Sequence, residues 1–148
     1  MILVQHIIED ARRRLAVIDH QASVCSAAKI LAASGTPLAV VCDAKGTVIG
    51  VISRTDVVKV IAATTADAMK TSAGALMTSP VFSCRRYHTL ARVWATMRER
   101  SLRCVPVLDD SGRPEGIVHA RDLVRALLLE VEEEEVLLRD YVLGVGYR

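Results

Sequence analysis

The chain contains one pattern twice, and this repeat constrains the fold more than any other feature. The stretch VVCDAKGTVIGVISRTDVVKVI, residues 40–61, aligns with PVLDDSGRPEGIVHARDLVRAL, residues 106–127. Self-similarity at a fixed period indicates two copies of one supersecondary unit. Because a unit of about 60 residues leaves one face of its sheet uncovered, we expect the two copies to pack through their sheets.

Each copy has the pattern of a β-α-β-β-α unit. In the first copy, residues 15–18 are extended, apolar spacing predicts a helix over 22–35 that ends at Gly35, and a hairpin around DAKG precedes a helix at about 55–63. In the second copy, residues 81–83 are extended, Thr89 caps a helix, and CVPVLD and PEGIVHA flank a DDSG turn. The predicted fold class is α+β. The expected organisation is a first repeat at 8–66, a linker at 67–74, a second repeat at 75–130 and a helical extension at 131–148.

The composition argues against a nucleic-acid partner. Of the 148 residues, 51% are hydrophobic and only 3% are aromatic. Val, Leu, Ile and Ala must therefore build the core, and few rings remain to stack on the bases of a single strand. The net charge is +2 with both signs interspersed, unlike the basic surface of a protein that binds a phosphate backbone.

The four cysteines indicate a reducing compartment. They lie far apart at positions 25, 42, 84 and 104, without a CxxC pair or zinc-ligand spacing. Most are expected to be small buried hydrophobes. The start of the chain orders apolar residues, acids and then Arg, unlike a signal peptide, and no apolar run approaches the roughly 18 residues of a membrane span. We therefore expect a cytoplasmic protein that does not enter a membrane.

No arrangement typical of a catalytic or metal site is apparent in the sequence. The four histidines, at positions 6, 20, 88 and 119, are not grouped at a ligand spacing. There is no nucleophile elbow and no glycine-rich phosphate loop. We expect a protein that is not an enzyme and has no catalytic cofactor and no metal.

The tandem unit, the endings GVISRTD and GIVHARD, and the ALMTSP opening of the second copy resemble a pair of CBS (cystathionine beta-synthase) domains, the Bateman module, over about residues 8–130. The first copy departs from the family at EDARRRLAVI, which lacks the MTxxP opening. The resemblance implies a stand-alone CBS-domain protein of bacterial type, whose repeats are related by a pseudo-two-fold axis. It also implies clefts between the repeats that bind an adenosine-containing ligand: AMP, ADP or ATP before S-adenosylmethionine or NAD.

The resemblance further implies which residues bind this ligand. A carboxylate can accept both ribose hydroxyls, apolar strand residues can hold the adenine, and a hydroxyl with helix-start N–H groups can hold a phosphate. The first copy would provide Thr36, Pro37 and Leu38 on the base side, and Ile52, Ser53, Arg54, Thr55 and Asp56 from its signature. The second copy would provide Thr78, Ser79, Pro80, Val81, Cys104, Val105, His119, Arg121 and Asp122. Arg54 and Arg121 are the phosphate candidates. Arg12 to Arg14 form either a third candidate, beside the first cleft, or a solvated basic turn.

The signature also has a purely structural interpretation. SxxD before an apolar run is close to a capping box, in which Ser53 and Asp56 bind each other's N–H without any ligand. His119 is not expected to cap a helix as Ser does, so the recurrence of Asp122 gives mild support to ribose binding. The change from Ser to His predicts two unequal clefts and adds a pH-sensitive donor to the second. Which cleft binds better stays open.

The closing helix is longer than the family requires. Near-heptad spacing continues along it, at Val124, Leu128, Val131, Leu138 and Val142, and Gly144 is expected to end it. Because an apolar stripe beyond the core needs cover, we expect a homodimer. Two functions remain open. One is a non-enzymatic sensor that signals an adenine nucleotide to an unidentified protein through conformational or dimer changes. The other is a ligand-free protein-interaction or dimerisation module.

Overall fold

The computed structural model describes residues 1–63 and 66–143, without the side chain of residue 66. The strands are β1 (Val17–Asp19), β2 (Leu38–Cys42), β3 (Val48–Ser53), β4 (Cys104–Leu108) and β5 (Pro114–His119). The helices are α1 (Ile8–Arg13), α2 (Val24–Ser34), α3 (Arg54–Ala62), α4 (Ala73–Leu76), α5 (Leu90–Glu99) and α6 (Ala120–Val142). Two 3-10 turns, Val4–Ile7 and Ala66–Lys70, precede α1 and α4. The predicted α+β class with two repeats and a long closing helix is confirmed.

The sheets of the two repeats differ by one strand. In the first, β2 lies between a parallel β1 and an antiparallel β3. In the second, only the hairpin β4–β5 forms a sheet. The extended segment expected at 81–83 is reduced to a single parallel bridge between Cys84 and Val107. The chain turns away at once because the N–H of Arg85 donates to Nδ1 of His88 instead of continuing the ladder.

Local sequence signals set the ends of the helices and hairpins. Ser23 caps α2 by accepting from the N–H of Ser26, and Gly35 ends the helix at a φ of 68°. Thr89 caps α5 through the N–H of Arg92, as predicted. In both hairpin turns an Asp side chain accepts from two backbone N–H groups while a Gly takes a positive φ. The predicted Thr89 cap, the end of α2 at Gly35 and the two turns are thus confirmed, and the Ser23 cap adds to them.

The two repeats meet through their sheets. Each repeat has its own buried cluster, and a third cluster of Val40, Cys42, Cys104 and Ile117 lies between them, with both sheets contributing. Val40 and Ile117 are completely buried. This third cluster covers the sheet face that a single unit would leave open, as the repeat predicted.

The segment at the start of each repeat, called its opening segment, packs on the other repeat. The backbone N–H groups of Val4 and Gln5 donate to carbonyls of His88 and Arg86, and α1 lies against β5. In return, the N–H groups of Ala73 and Gly74 donate to carbonyls of Ala22 and His20, and Ala73 is buried in the core of the first repeat. The segment expected as a linker, 67–74, therefore forms regular structure against the first repeat, and within it Ala73 is buried in that repeat's core while Met69 packs on it. This exchange of segments decides which residues line each cleft.

The last helix leaves the core after its first three turns. Leu123 is buried, whereas a series of later apolar residues is more than half exposed: Leu128, Leu129, Val131, Val136, Leu137, Leu138 and Val142. The predicted end of the helix at Gly144 lies outside the described residues. Among the described residues, no helix is both long enough and apolar enough to span a membrane.

The thiols are expected to differ widely in reactivity. Burial raises the pKa of Cys84 to about 12 and that of Cys104 to about 11, whereas Cys25 is exposed. Because the thiolate is the reactive form, an aromatic disulfide reagent at neutral pH should label Cys25 quickly. The other three thiols should react only after denaturation. Counting released chromophore before and after adding urea checks this, and Cys25→Ser is the control. Fast labelling that survives in Cys25→Ser would contradict the described burial.

Candidate functional site: two clefts between the repeats

Cleft A lies between β3 of the first repeat and the opening segment of the second. The N–H of Thr78 donates to the carbonyl of Val51 at 2.8 Å, and the N–H of Val51 returns the bond at 3.1 Å. A cavity of about 320 Å³ opens there, near the lower limit of roughly 300 Å³ for small-molecule sites. Its lining comes from both repeats: Leu38, Val51, Thr78, Pro80, Val81, Phe82, Arg100, Leu102, Cys104 and Pro106.

This arrangement corrects the assignment of site residues by copy. Thr78, Pro80 and Val81 were grouped with the signature of the second repeat, but the structure places them against β3 of the first. The physical reason is the exchange of opening segments, which moves each opening across to the other repeat. Leu38 of the first copy and Cys104 of the second copy both line cleft A.

Strand alternation places other predicted residues away from the cavity. Ile52 and Val105 are completely buried in the cores of their own repeats, because neighbouring side chains on a strand point to opposite faces. Thr36 is also buried, and its hydroxyl donates to the carbonyl of Leu38 at 3.4 Å. The carbonyl of Pro37 accepts the N–H of Arg54 at 2.9 Å. Sequence reasoning therefore missed Val51 and Pro106, although the period-two pattern could have identified them.

The first signature forms a capping box at the start of α3. Oγ of Ser53 accepts from the N–H of Asp56 at 3.1 Å, and Oδ2 of Asp56 accepts from the N–H of Ser53 at 2.9 Å. The structural interpretation of this motif is thus confirmed. It uses one carboxylate oxygen only, and no described residue donates a hydrogen bond to Oδ1 of the half-buried Asp56. Arg54 and Thr55 are exposed in the first turn of α3, and Ser79 is exposed beside Thr78.

Cleft B is the related space beneath the second signature, where Asp122 meets Arg14. The guanidinium donates from Nε to Oδ2 of Asp122 at 2.5 Å and from Nη2 to Oδ1 at 3.1 Å. The side chain of Asp122 is 6% exposed and that of Arg14 is 29% exposed. The hydrogen bond from Arg14 lowers the pKa of the Asp122 carboxyl, and the same contact raises the pKa of Arg14. Of the three arginines, Arg14 therefore belongs to this cleft rather than to the first one, whereas Arg12 and Arg13 form exposed ion pairs with Glu9 and Asp10 on α1.

His119 caps α6, contrary to the expectation from its side chain. Its Nδ1 accepts from the N–H of Arg121 at 3.0 Å. A neutral imidazole nitrogen can take the place of a hydroxyl oxygen here. Burial, together with the nearby charges of Arg14 and Arg121, lowers the pKa of His119 and favours the neutral ring. Among the described residues, Asp122 does not return a bond to the N–H of its cap as Asp56 does, and both of its oxygens accept from Arg14.

Comparison with known proteins identifies the architecture. Residues 4–63 and 73–129 match the sequence profile of the CBS domain. The chain belongs to the CBS-domain family. The CBS-domain pair resembles a CBS-domain-containing protein of Agrobacterium tumefaciens, with 30% identity over 84% of this chain and 92% of that one and a TM-score of 0.72.

Two other solved structures contain adenosine compounds. The CBS-domain pair of protein MJ0100, in complex with 5′-methylthioadenosine and S-adenosyl-L-methionine, is 26% identical over 86% of this chain and 97% of that one, with a TM-score of 0.73. CBSX2 in complex with AMP is 25% identical over 87% and 98% of the two chains, also with a TM-score of 0.73. No curated protein sequence matches the chain.

The two clefts of this CBS-domain pair differ in charge. Cleft A is lined mainly by apolar side chains, and its one arginine, Arg100, lies 5.1 Å from the centre of the Phe82 ring. In cleft B, the positive charges of Arg14, Arg103 and Arg121 all act on His119. The two clefts therefore differ in charge, as predicted. The difference comes from Arg14 in the opening segment of the first repeat as much as from the change of Ser53 to His119.

CBS-domain pairs are generally regulatory rather than catalytic modules. Among residues 1–63 and 66–143, no group of three or more His, Cys, Asp or Glu side chains is arranged to hold a metal ion. The chemistry available in the clefts is that of binding: apolar contact, carboxylate acceptors and guanidinium donors.

Proposed function

We propose that this CBS-domain pair is a non-enzymatic sensor that binds an adenine nucleotide, AMP, ADP or ATP, in cleft A. The observation that carries the proposal is the mainly apolar cavity that both repeats line. We assign the ribose to Oδ1 of Asp56, which accepts no hydrogen bond from any described residue. S-adenosylmethionine and NAD are less favoured ligands. MJ0100 and CBSX2 lend support, since both are relatives that hold adenosine compounds.

The alignment of the two copies supports the assignment of Asp56 to cleft A. Pro80 occupies the position in the second opening that Arg14 occupies in the first, and at the same offset Asp56 aligns with Asp122. Because Arg14 reaches Asp122, we infer by this equivalence that Asp56 lies near Pro80, which lines the cavity. Proline has no donor with which to occupy that carboxylate.

Each part of a nucleotide then has a partner in cleft A. A ribose hydroxyl donates to Oδ1 of Asp56, and the adenine lies among Leu38, Val51 and Val81. The phosphates extend towards the first turn of α3, where the helix dipole and the exposed Arg54 favour negative charge. The ligand would signal by binding one arrangement of the repeats or of a dimer more tightly than another. We place the protein in the cytoplasm, where four free thiols stay reduced.

Asp56→Asn is the variant that tests this function. The amide oxygen still accepts from Ser53, whereas the amide nitrogen cannot accept a ribose hydroxyl. Losing a hydrogen bond to a charged group, worth about 1.5–3 kcal/mol, should weaken binding roughly 10- to 100-fold. Calorimetric titration of AMP, ADP, ATP, S-adenosylmethionine and NAD into both proteins measures the change.

The matched control is Asp122→Asn, which should keep the affinity of cleft A within about twofold, because Arg14 holds the Asp122 carboxylate in the other cleft. No heat with any of the five compounds, and an unmoved melting temperature, would instead favour the ligand-free interaction module. That alternative is favoured by one observation, the capping box, which accounts for Ser53 and Asp56 without a ligand.

We also propose that the protein forms a homodimer through α6. Its exposed apolar residues, including Leu137 and Leu138 at 69% and 65% exposure, continue the near-heptad series beyond the core. Leu137→Glu together with Leu138→Glu should convert a dimer to monomers in analytical ultracentrifugation, without changing the circular dichroism spectrum. Glu133→Gln is a control on the same helix. A wild-type monomer at every concentration would contradict this proposal.

A further inference from the structure

The two clefts differ at one pair of equivalent positions. The opening of the second repeat places Pro80 in the lining of cleft A, and the opening of the first repeat places Arg14 in cleft B. Proline carries no side-chain donor, whereas arginine carries a planar fork of donors that matches a carboxylate. The two clefts therefore differ in whether a side-chain donor is present beside the carboxylate that would bind a ribose.

Arg14 uses both oxygens of Asp122. Nε and Nη2 reach Oδ2 and Oδ1, respectively, which is the two-point geometry that a pair of ribose hydroxyls would need. At 6% exposure, Asp122 has little open surface left on which to accept a second partner. Asp56 differs, because only its Oδ2 is used, by a backbone N–H.

The contact is independent of the helix cap. In the first repeat, Oγ of Ser53 caps α3 and Oδ2 of Asp56 accepts in return from the N–H of Ser53, whereas in the second repeat His119 takes the place of Ser53 as the cap, through Nδ1. Asp122 makes no hydrogen bond to the N–H of His119 among the described residues. The pair of Arg14 and Asp122 therefore joins α1 to α6 directly and does not serve capping.

The positions around Arg14 and Asp122 are mostly apolar, as in cleft A. Aligning the two copies gives the cleft B equivalents of the residues that line cleft A, and the apolar ones are Leu15, Ala16, Leu38, Val40, Cys104 and Ile117. Val40 and Ile117 are completely buried between the sheets, so a base in cleft B would contact the less buried Leu15 and Leu38. The feature that separates this cleft from cleft A as a ribose site is Arg14, which occupies the carboxylate.

We propose that Arg14 determines the occupancy of cleft B by holding Asp122 in place of a ribose, so that the chain binds one nucleotide, in cleft A. This inference rests on the proposed function. Arg14 acts as an internal competitor, and its removal creates a second nucleotide site within the same chain.

Calorimetric titration of AMP into the full chain tests the proposal, with stoichiometry as the readout. The wild type should bind one AMP per chain, and Arg14→Ala should bind two. Adding Asp56→Asn to Arg14→Ala should leave only the new site. Arg14→Gln is the second variant in case Arg14→Ala does not fold, because the amide can still donate one hydrogen bond to Asp122. Arg13→Ala, which removes a charge from the exposed neighbouring residue, should still bind one AMP per chain.

Each outcome separates this inference from the proposed function. Two sites in the wild type, or one site in every folded Arg14 variant, would overturn the role of Arg14 while leaving nucleotide binding intact. No binding in the wild type but one site in the Arg14 variants would support the inference and remove cleft A as the native site. No binding in any folded variant would overturn both.

Discussion

Replacing Arg14 with Ala should lower the free energy of unfolding by about 3 kcal/mol, near the lower end of the cost of breaking a buried ion pair. The variant leaves Asp122 charged, nearly buried and without its two guanidinium hydrogen bonds. The cost stays at the lower end because Arg14 is 29% exposed, so water can enter the space that the side chain vacates. Urea denaturation at neutral pH measures the difference.

The neighbouring arginine provides the matched control. Arg13 pairs with Asp10 on the exposed side of α1, and exposed pairs contribute at most about 1 kcal/mol. Arg13→Ala should therefore change stability by less than about 0.5 kcal/mol. Equal effects of the two substitutions would mean that Arg14 and Asp122 do not form the described contact.

The cost of Arg14→Ala should also depend on pH. Arg14 lowers the pKa of Asp122 in the folded state below its ordinary value of 3.8, so the unfolded chain binds the proton more readily. The stabilisation is complete above the unfolded pKa and is lost as the pH falls through the folded one. The difference in the free energy of unfolding between the wild type and Arg14→Ala should therefore be constant near neutral pH and shrink in acid below about pH 4. A gap that widened in acid would contradict this linkage.

Gly116→Ala should destabilise the chain by a similar amount, about 3 kcal/mol, the upper part of the usual range for overpacking. A Cβ at this position would lie 2.7 Å from the carbonyl carbon of Ala11 and 2.9 Å from its carbonyl oxygen. These are backbone atoms of α1, so relief requires the whole helix to move away from β5. Urea denaturation of the variant, with circular dichroism as the probe, measures the loss.

Gly50→Ala is the matched control from the first repeat. Its Cβ would approach the side chain of Met77 instead, nearest to Sδ, with Cγ at 2.6 Å and Cβ at 2.9 Å. A flexible thioether side chain can adjust more easily than a backbone, so we expect a cost of about 1 kcal/mol. Equal costs at the two glycines would contradict the view that the backbone of α1 cannot move away from β5 as easily as Met77 can move from Gly50.

Much of the fold could be predicted because its signals are local. The repeat is found by aligning the chain with itself, and alternating apolar strands and Asp–Gly turns are patterns of a few neighbouring positions. The caps at Ser23 and Thr89 likewise satisfy backbone groups close to them in the chain. The family followed from the same short motifs. The prediction was weakest where a strand depends on a distant partner, as at 81–83, where only the bridge from Cys84 to Val107 forms.

The sites required the tertiary structure because their decisive contacts join residues far apart in the chain. The exchange of opening segments decides which residues lie near the Asp of each signature. The repeat in the sequence would look the same with or without that exchange, so it could not reveal these neighbours. The sequence by itself determined two related α+β units, their hairpin turns, the cap at Thr89 and two acids at equivalent places. Only the tertiary structure decided that Arg14 reaches across 108 positions to Asp122, because α1 packs on β5 of the opposite repeat.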